Sequence, residues 1–375
     1  MNLSFWEKST FFAEIDVAII GSGLVGLNAA ISLKILRPNW KIIILEKGIL
    51  PSGASTRNAG FACVGSPSEL LDDLTHQTEN EVFSTVEKRW KGLEKLLKRV
   101  GERGLDFQKN GGYELFLKQD DALYNDCQNQ LDFLNKNLAS IVGVVDNFKL
   151  VNRKSFGFRG LEKQIFIQQE GQINTGKMMQ SLVNLATEKG IKIYNGITVT
   201  DFQDFETHVE LTTENGWQLN AQRLFIATNG FTRRLLPTLE IHPARNQVLI
   251  TKPIKNLRFK GTFHLNKGYY YFRNFENRVL FGGGRHLDKA GETTERFGTT
   301  DLIQNSLKTI LKENILPDQQ FEIEQWWSGI LGVGKQKTPI VEQYSENITV
   351  AVRLSGIGVA ISSLVADEGV ELCLG

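Results

Sequence analysis

The sequence has few cysteines, and they lie far apart. Its three cysteines are Cys63, Cys127 and Cys373. Three scattered thiols do not make the disulfide framework of a secreted domain, and no CxxC pair is present to bind a metal or carry out thiol redox chemistry. This cysteine usage fits a reducing compartment, so we expect a cytoplasmic protein.

The sequence also lacks a charge imbalance, a histidine cluster and a long hydrophobic run. Lys and Arg total 43 against 42 Asp and Glu, which gives no reason to expect nucleic acid or an anionic membrane as a partner. The five histidines never approach HxxxH or HExxH spacing, so we expect no metal site. Residues 1–12 contain no apolar h-region, and later apolar runs are too short to span a bilayer, so we predict no transmembrane segment.

A nucleotide-binding pattern is present near the start of the chain, in the stretch DVAIIGSGLVGLNAAISL, residues 16–33. Val17–Ile20 form an uninterrupted apolar run that predicts a buried parallel strand, and a helix follows it. Gly21, Gly23 and Gly26 lie between strand and helix as GxGxxG, the pattern that allows a tight turn, close approach to a pyrophosphate and close helix–strand packing. The N-terminus of the helix would then face the phosphates.

An acidic residue follows where a ribose would bind. The second apolar run, Ile42–Leu45, ends at Glu46, about 20 residues past the last glycine, where a carboxylate accepts hydrogen bonds from ribose hydroxyls and disfavours a 2′-phosphate. An ordinary βαβ unit with a surface glutamate is the alternative interpretation. The order of strand, glycines, helix, strand and acid favours a dinucleotide site.

The rest of the chain predicts further helices, a returning strand and a second sheet. Helical spacing runs from Ser68 to Arg103, and its basic cluster Lys88–Lys91 is interpreted as part of a solvated helix face. Arg223–Ile226 resembles a parallel strand that rejoins the first sheet. Alternation from Asn246 to Gly284 predicts antiparallel strands, and Ile348–Val352 precedes a glycine turn and a last helix.

These patterns predict an α/β fold with two domains. The first is a discontinuous Rossmann-like nucleotide-binding domain, made of residues 1–85, 146–232 and 325–375. The second is a mainly antiparallel-sheet substrate domain, made of residues 86–145 and 233–324.

Five segments together resemble the FAD-dependent D-amino acid oxidase superfamily. They are the glycine-rich start, PSGASTRNAGFACVG from Pro51, ATNGFT from Ala227, YYYFRNFENRVLFGGG from Tyr269 and LSGIGVAISSLVAD from Leu354. They are most similar to the branch of glycine, sarcosine and γ-glutamylputrescine oxidases, and their order covers nearly the whole chain. The resemblance implies FAD as the cofactor. It also implies oxidation of a C–N bond in a small amine or amino acid, with hydride transfer to flavin N5 and hydrolysis of the imine.

The motif and the resemblance together give the residues expected to contact FAD. Glu46 is expected on the adenosine ribose, Ser55–Asn58 on phosphates and ribityl hydroxyls, and Ala59–Phe61 along the isoalloxazine. Backbone amides of Gly356–Val359 are expected at the flavin N1–C2=O edge, where a helix N-terminus stabilises negative charge. The full set is Gly21, Gly23, Leu24, Val25, Gly26, Glu46, Lys47, Ala54, Ser55, Thr56, Arg57, Asn58, Ala59, Gly60, Phe61, Val199, Ala227, Thr228, Asn229, Gly329, Ser355, Gly356, Ile357, Gly358 and Val359.

Candidates for the substrate site come from the second sheet. Alternation along a strand would send Tyr269, Tyr271 and Arg273 to one face, which we take as the flavin side. Arg273 is expected to pair with a substrate carboxylate. Arg285 is a further candidate. The alternative is that the tyrosines pack within the sheet and Arg273 forms a surface salt bridge.

Three features of the enzymes that the chain resembles are missing. Ile330 and Leu331 stand where glycine oxidases have a carboxylate-binding arginine, and Val279–Phe281 has no lysine of the kind tied to oxygen activation in sarcosine oxidases. The covalent-flavin cysteine is absent from Gly329–Lys335, so we expect noncovalent FAD and a structural role for Cys63. The substrate, electron acceptor and oligomeric state are left open. Other possibilities are a same-fold FAD protein acting on a hydroxy acid or on a tRNA- or thiazole-related substrate, and a flavin-binding protein without turnover.

Overall fold

The computed structural model describes residues 3–151 and 156–375, which form two large β-sheets, with a layer of helices on the first. The α-helices of these residues are α1 Leu24–Leu36, α2 Pro67–Leu74, α3 Glu79–Leu105, α4 Asp121–Val142, α5 Thr175–Glu188, α6 Asp301–Ile310 and α7 Gly358–Leu374. The strands are β1 Ile15–Ile20, β2 Ile42–Glu46, β3 Phe61–Ala62, β4 Gly112–Phe116, β5 Phe148–Leu150, β6 Lys163–Ile167, β7 Gly171–Gln172, β8 Lys192–Asn195, β9 Val199–Asp204, β10 Val209–Thr213, β11 Gln218–Ile226, β12 His242–Thr251, β13 Thr262–Leu265, β14 Tyr270–Phe275, β15 Arg278–Gly283, β16 Ile323–Val333, β17 Ile340–Ser345 and β18 Ile348–Val352.

The first sheet has the strand order β17-β18-β11-β1-β2-β8, with β10 and β9 extending from β11. Strands β18, β11, β1, β2 and β8 run parallel. Val17 and Ile19 lie in the core formed with α1, α3, α5 and α7, while Ala18 and Ile20 lie in a second core on the other face. A strand that is covered on both faces has a continuous apolar run in its sequence, and this pattern predicted β1.

The predicted return of the chain to this sheet is confirmed. Strand β11 pairs in parallel with β1, so that Ala18 lies beside Leu224 and Ile20 beside Ile226. Strand β18 then pairs with β11 on the far side, and α7 packs against α1 and α3. The first and last segments of the chain therefore meet in one domain.

The second sheet has the order β16-β12-β15-β14-β13-β4-β6-β5 and is antiparallel except between β13 and β4. One face carries an aromatic core in which Phe263 and Phe272 stack with centroids 4.7 Å apart. Ile303 and Leu307 of α6 cover that core. The opposite face of β13 and β14 presents His264 and Tyr271 toward the first domain.

The predicted domain boundaries differ from the sheet membership in three places. Strands β5 and β6 belong to the second sheet, although residues 146–232 were assigned to the nucleotide-binding domain. Strand β16 pairs with β12 of the second sheet, although the sequence predicts that residues 325–375 belong to the nucleotide-binding domain. Helix α3 packs on α7, although residues 86–145 were assigned to the substrate domain. Which strands pair depends on packing between residues far apart in the sequence, and local periodicity carries no information about that packing.

Among the helices of the described residues, none combines the length and the apolar character that a membrane crossing requires.

Candidate active site

Two adjoining cavities lie between the domains. The first, of about 600 Å³, opens at the carboxyl ends of β1, β2 and β11 beside the N-terminus of α1. The second, of about 290 Å³, lies between the N-terminus of α7 and the second sheet. They share the lining residues Ala54, Asn58, Leu331, Gly356 and Val359. The carboxyl ends of parallel strands are the usual place for a ligand in such sheets.

Glu46 lines the first cavity, where sequence reasoning placed it, and its carboxylate is held by the neighbouring turns. Its Oε2 accepts hydrogen bonds from the N–H and the Oγ of Ser22, at 2.9 and 2.7 Å. Its Oε1 accepts one from the Gly48 N–H at 2.9 Å. Glu46 as a whole residue is 8% exposed. Ser22, which the motif leaves unspecified, is thus a residue that sequence reasoning missed.

The glycines of the first turn keep the approach to α1 clear. Gly21 has φ +102°, a conformation that favours glycine, and a Cβ there would lie 3.0 Å from the Ala227 carbonyl oxygen. A Cβ on Gly23 would lie 3.0 Å from Ser55 Oγ, which accepts a hydrogen bond from the Leu24 N–H. The space that a pyrophosphate needs beside a helix N-terminus is therefore formed by residues without side chains.

Gly26 has a different role from the other two glycines. A Cβ there would lie 2.0 Å from the Gly21 carbonyl oxygen. Gly26 therefore lets the helix pack on the preceding strand, and it lines neither cavity.

The loop after β2 crosses from the first cavity to the second. Asn58 Nδ2 donates to the Ser55 carbonyl at 2.8 Å, and its Oδ1 accepts from the Gly60 N–H and from Thr175 Oγ1, both at 2.9 Å. Thr56 Oγ1 donates to the Pro51 carbonyl at 2.8 Å and points away from both cavities. The loop is therefore fixed by its own side chains.

Arg57 is also tied to the protein. Its Nε donates to the Ser52 carbonyl at 2.9 Å and its Nη1 to the Ser328 carbonyl at 3.1 Å. The guanidinium lies 4.4 Å from the centroid of Phe297. Its positive charge lies at the edge of the second cavity, and no carboxylate of the described residues pairs with it.

The turn before α7 contains a polar atom that the described residues leave unsatisfied. Ser355 and Gly356 have φ of +48° and +92°. The buried Ser355 Oγ has no hydrogen-bond partner in this part of the chain. Backbone amides at the start of α7 lie at the junction of the two cavities, which suits the polar edge of a flavin ring.

Most of the residues predicted to contact FAD line one of the cavities. The first cavity includes Gly21, Gly23, Leu24, Val25, Glu46, Lys47, Ala54, Ser55, Asn58, Val199, Ala227, Thr228, Asn229, Gly356, Gly358 and Val359. The second includes Ala54, Arg57, Asn58, Ala59, Gly60, Phe61, Gly329, Ser355, Gly356, Ile357 and Val359. Gly26 and Thr56 line neither.

Tyr271 lines the second cavity and lies against the sheet. A Cβ on Gly282 would come within 2.7 Å of the Tyr271 ring, so the glycine makes room for it. Asn246 Nδ2 donates to Tyr271 Oη at 3.1 Å. Burial raises the pKa of Tyr271, and the nearby Arg285 opposes that rise only in part. The phenol therefore stays protonated and can donate a hydrogen bond into the cavity.

The structure corrects the role predicted for Arg273. The side chain shares a face with Tyr271, as alternation requires, but it is 3% exposed and does not line either cavity. Its guanidinium donates to the carbonyls of Ala59, Ile173 and Asn274. Burial lowers the pKa of Arg273 to about 10. Arg273 therefore anchors the loop after β2 through the Ala59 carbonyl and does not line the cavities.

Arg285 is a cation that faces the second cavity and, unlike Arg57, donates to no carbonyl of the described residues. In the described part of the chain no hydrogen bond or ion pair engages its guanidinium, and it lines the cavity with Tyr271. Two other lining cations are paired, Lys267 with Asp72 at 2.6 Å and Lys337 with Asp73 at 2.7 Å.

Sequence reasoning missed a group of charged residues on the far wall of the second cavity. Arg89, in the helical stretch interpreted as solvated, is 3% exposed and pairs with Glu69 at 3.0 Å. Lys337 also pairs with Glu69, at 3.2 Å. These residues come from α2, α3 and a loop before β17, so no local spacing could have shown that they meet.

Comparison with known proteins identifies the family. A family model described as FAD dependent oxidoreductase matches residues 16–372. The chain belongs to this family, the DAO family. The resemblance seen in the sequence is thereby confirmed, and the protein is an FAD-dependent oxidoreductase. The cavity geometry fits this cofactor, because the clear glycine turn, the buried Glu46 and the unsatisfied Ser355 Oγ lie along one continuous cleft.

Individual relatives are distant but cover most of the chain. The probable oxidoreductase OrdL of Haemophilus influenzae is 22% identical over 96% of this chain and 83% of its own length. The glycine oxidase of Geobacillus kaustophilus is 24% identical over 88% of this chain and 85% of its own. The crystal structure of that glycine oxidase superposes with a TM-score of 0.76 at 20% identity, covering 96% of this chain and 94% of the other. At this level of identity, the superposition shows that the two chains share a fold.

Proposed function

We propose that the protein oxidises the C–N bond of an amino acid, with the adenosine and pyrophosphate of FAD in the first cavity and its flavin ring beside the substrate in the second. The observation that carries this proposal is Arg285, which lines the second cavity with Tyr271 and has no hydrogen bond or ion pair among the described residues. Arg285 is partly exposed within the cavity, and a cation without a partner there favours a ligand that brings a carboxylate. The distant relatives named glycine oxidase support an amino acid as substrate.

The residues that would hold FAD follow from the cleft. Glu46 would accept hydrogen bonds from the adenosine ribose, and the turn Gly21–Gly23 with the start of α1 would bind the pyrophosphate. Within Gly356–Val359, the amides of Gly356, Gly358 and Val359 would face the pyrimidine edge of the ring, since that of Ile357 already donates to the Leu354 carbonyl. When bound, FAD supplies the acceptor for the hydride that leaves the substrate carbon, and water then hydrolyses the imine.

The second cavity positions the substrate. Arg285 would bind its carboxylate, and the protonated Tyr271 would donate a hydrogen bond to it. Phe61, Val248 and Ile357 contribute apolar lining, which limits access of water to the reacting carbon. None of these residues needs to act as a nucleophile.

Anaerobic reduction of the flavin tests this function. We expect at least one member of a panel of D-, L- and N-alkyl amino acids to bleach the visible flavin absorption, while hydroxy acids of the same carbon skeleton leave it unchanged. Polyamine derivatives without a carboxylate should react poorly, since they offer nothing to Arg285. Bleaching by hydroxy acids, or by no compound of the panel, would contradict the proposal.

We predict that the FAD is bound noncovalently. Cys63 lines the second cavity, but burial raises the pKa of its thiol to about 12 despite the opposing Arg89, so little thiolate is present at neutral pH. Precipitation with acid should release the yellow colour into the supernatant. Colour that stays in the pellet of the parent protein, and moves to the supernatant in Cys63→Ala, would show a covalent link through this cysteine.

A further inference from the structure

His264 is a buried histidine in the wall of the second cavity that none of the roles above uses. It lies on β13, is 4% exposed, and is the direct cross-strand neighbour of Tyr271 on β14. Directly paired residues of antiparallel strands carry their side chains on the same face, about 5 Å apart. His264 therefore borders the space that Tyr271 borders.

One side of the imidazole is fixed by a carboxylate. His264 Nε2 lies 2.6 Å from Glu170 Oε1, and Glu170 is completely buried. A Cβ on Gly112 would lie 2.6 Å from the Glu170 carboxylate, so a glycine at that position makes room for it. The Phe61 ring packs edge-on to the imidazole at 5.2 Å.

The other side of the imidazole is open. In the described residues no protein group bonds His264 Nδ1, and the ring lines the second cavity. A ring nitrogen whose partner nitrogen is held by a carboxylate has a defined direction and tautomer. Nδ1 is thus a polar group presented to a ligand, on the same face as Tyr271.

The charges around His264 favour its protonated form. Burial lowers its pKa, but Glu170, Glu114 and Glu69 together outweigh that effect and raise it above the ordinary value. The raised pKa of Glu114, caused by its burial, limits that residue's share of negative charge, and Glu69 is paired with Arg89 and Lys337. Glu170 is therefore the carboxylate that chiefly sustains the imidazolium.

We propose that His264, held by Glu170, donates a hydrogen bond from Nδ1 to a second acidic group of the substrate, so that the enzyme acts on an amino acid with two carboxylates. This rests on the proposed function, in which Arg285 binds the first carboxylate. Strand β14 separates β13, which carries His264, from β15, and Arg285 follows β15 after Gly284. Both side chains line the second cavity, so a single ligand with two acidic groups has a separate partner for each.

Ligand binding to the FAD-loaded protein tests this directly. Succinate and butyrate have the same carbon count and differ by one carboxylate, and each can be titrated by the change that it causes in the flavin absorption spectrum. We expect succinate to bind at least about tenfold more tightly than butyrate. In His264→Gln the amide nitrogen still reaches Glu170 but Nδ1 is lost, so the two dissociation constants should become equal within about twofold while that for butyrate is unchanged.

The pH dependence gives a second readout. The preference for succinate should be present below the raised pKa of His264, as long as both carboxylates of succinate stay ionised. It should disappear as the pH rises through that pKa, since only the imidazolium attracts the second carboxylate. In Glu170→Gln this midpoint should move to lower pH. His286→Gln is a matched control. The His286 ring packs on Tyr269 but lines neither cavity, so this variant should leave the preference for succinate unchanged.

Two results would overturn the inference. Equal weakening of succinate and butyrate in His264→Gln would show that the histidine only supports the sheet, and an unchanged preference would show that Nδ1 does not contact the ligand. If no amino acid reduces the flavin but the preference for succinate depends on His264, the proposed reaction is wrong and the dicarboxylate site stands.

Discussion

Gly23→Val protein is expected to fold but to purify without flavin. The backbone at Gly23 is extended, with φ −70° and ψ −176°, so valine can adopt it without strain. The side chain would instead fill the space between the start of α1 and Ser55, where the added Cβ alone comes within 3.0 Å of Ser55 Oγ. That is the space in which we place the pyrophosphate.

The measurement is the ratio of flavin to protein after purification, with circular dichroism to confirm folding. We expect the ratio to fall close to zero while the far-ultraviolet spectrum is retained. Gly176→Val is a matched control, because Gly176 lies in α5 away from both cavities and its added Cβ would meet only Asn174 Oδ1 at 3.4 Å. Full flavin occupancy in Gly23→Val would mean that the pyrophosphate binds elsewhere.

The nucleotide half of the fold could be predicted from sequence because its signals are local. Strand β1, the glycine turn, α1 and β2 follow one another within a short stretch, and each is buried on both faces or requires glycine. The position of Glu46, for which we propose ribose binding, follows from the same order. Even the distant strand β11 was recognisable, because a parallel strand covered on both faces must be apolar throughout.

The substrate half was less predictable because its side chains meet only in three dimensions. Alternation correctly gave Tyr271 and Arg273 the same face of β14. Alternation could not show that the carbonyls of Ala59 and Ile173 lie close to Arg273 and accept hydrogen bonds from its guanidinium. The pair formed by His264 and Glu170 likewise joins segments that no local pattern connects.

Arg285→Met and Arg273→Met should therefore fail in different ways. In Arg285→Met the loss of a charge-assisted hydrogen bond to the substrate carboxylate is worth about 1.5–3 kcal/mol. We expect kcat/KM for the reactive amino acid to fall roughly tenfold to a hundredfold or more. Flavin content should not change, since Arg285 does not line the first cavity, where we place the adenosine and pyrophosphate of FAD. The slow reaction of the corresponding amine without a carboxylate should be unaffected, because that compound never used the guanidinium.

Arg273→Met should instead destabilise the loop after β2, which contains Ala59. Without the Arg273 guanidinium, the carbonyls of Ala59, Ile173 and Asn274 lose a hydrogen-bond donor. A buried polar group left without a partner typically lowers the free energy of unfolding by about 1–3 kcal/mol. We expect a lower melting temperature and lower flavin occupancy, with equal loss of activity per protein for charged and uncharged substrates. If Arg273→Met instead discriminated between them while Arg285→Met did not, the carboxylate would bind to Arg273 after all, and the loop would have to open for it to do so.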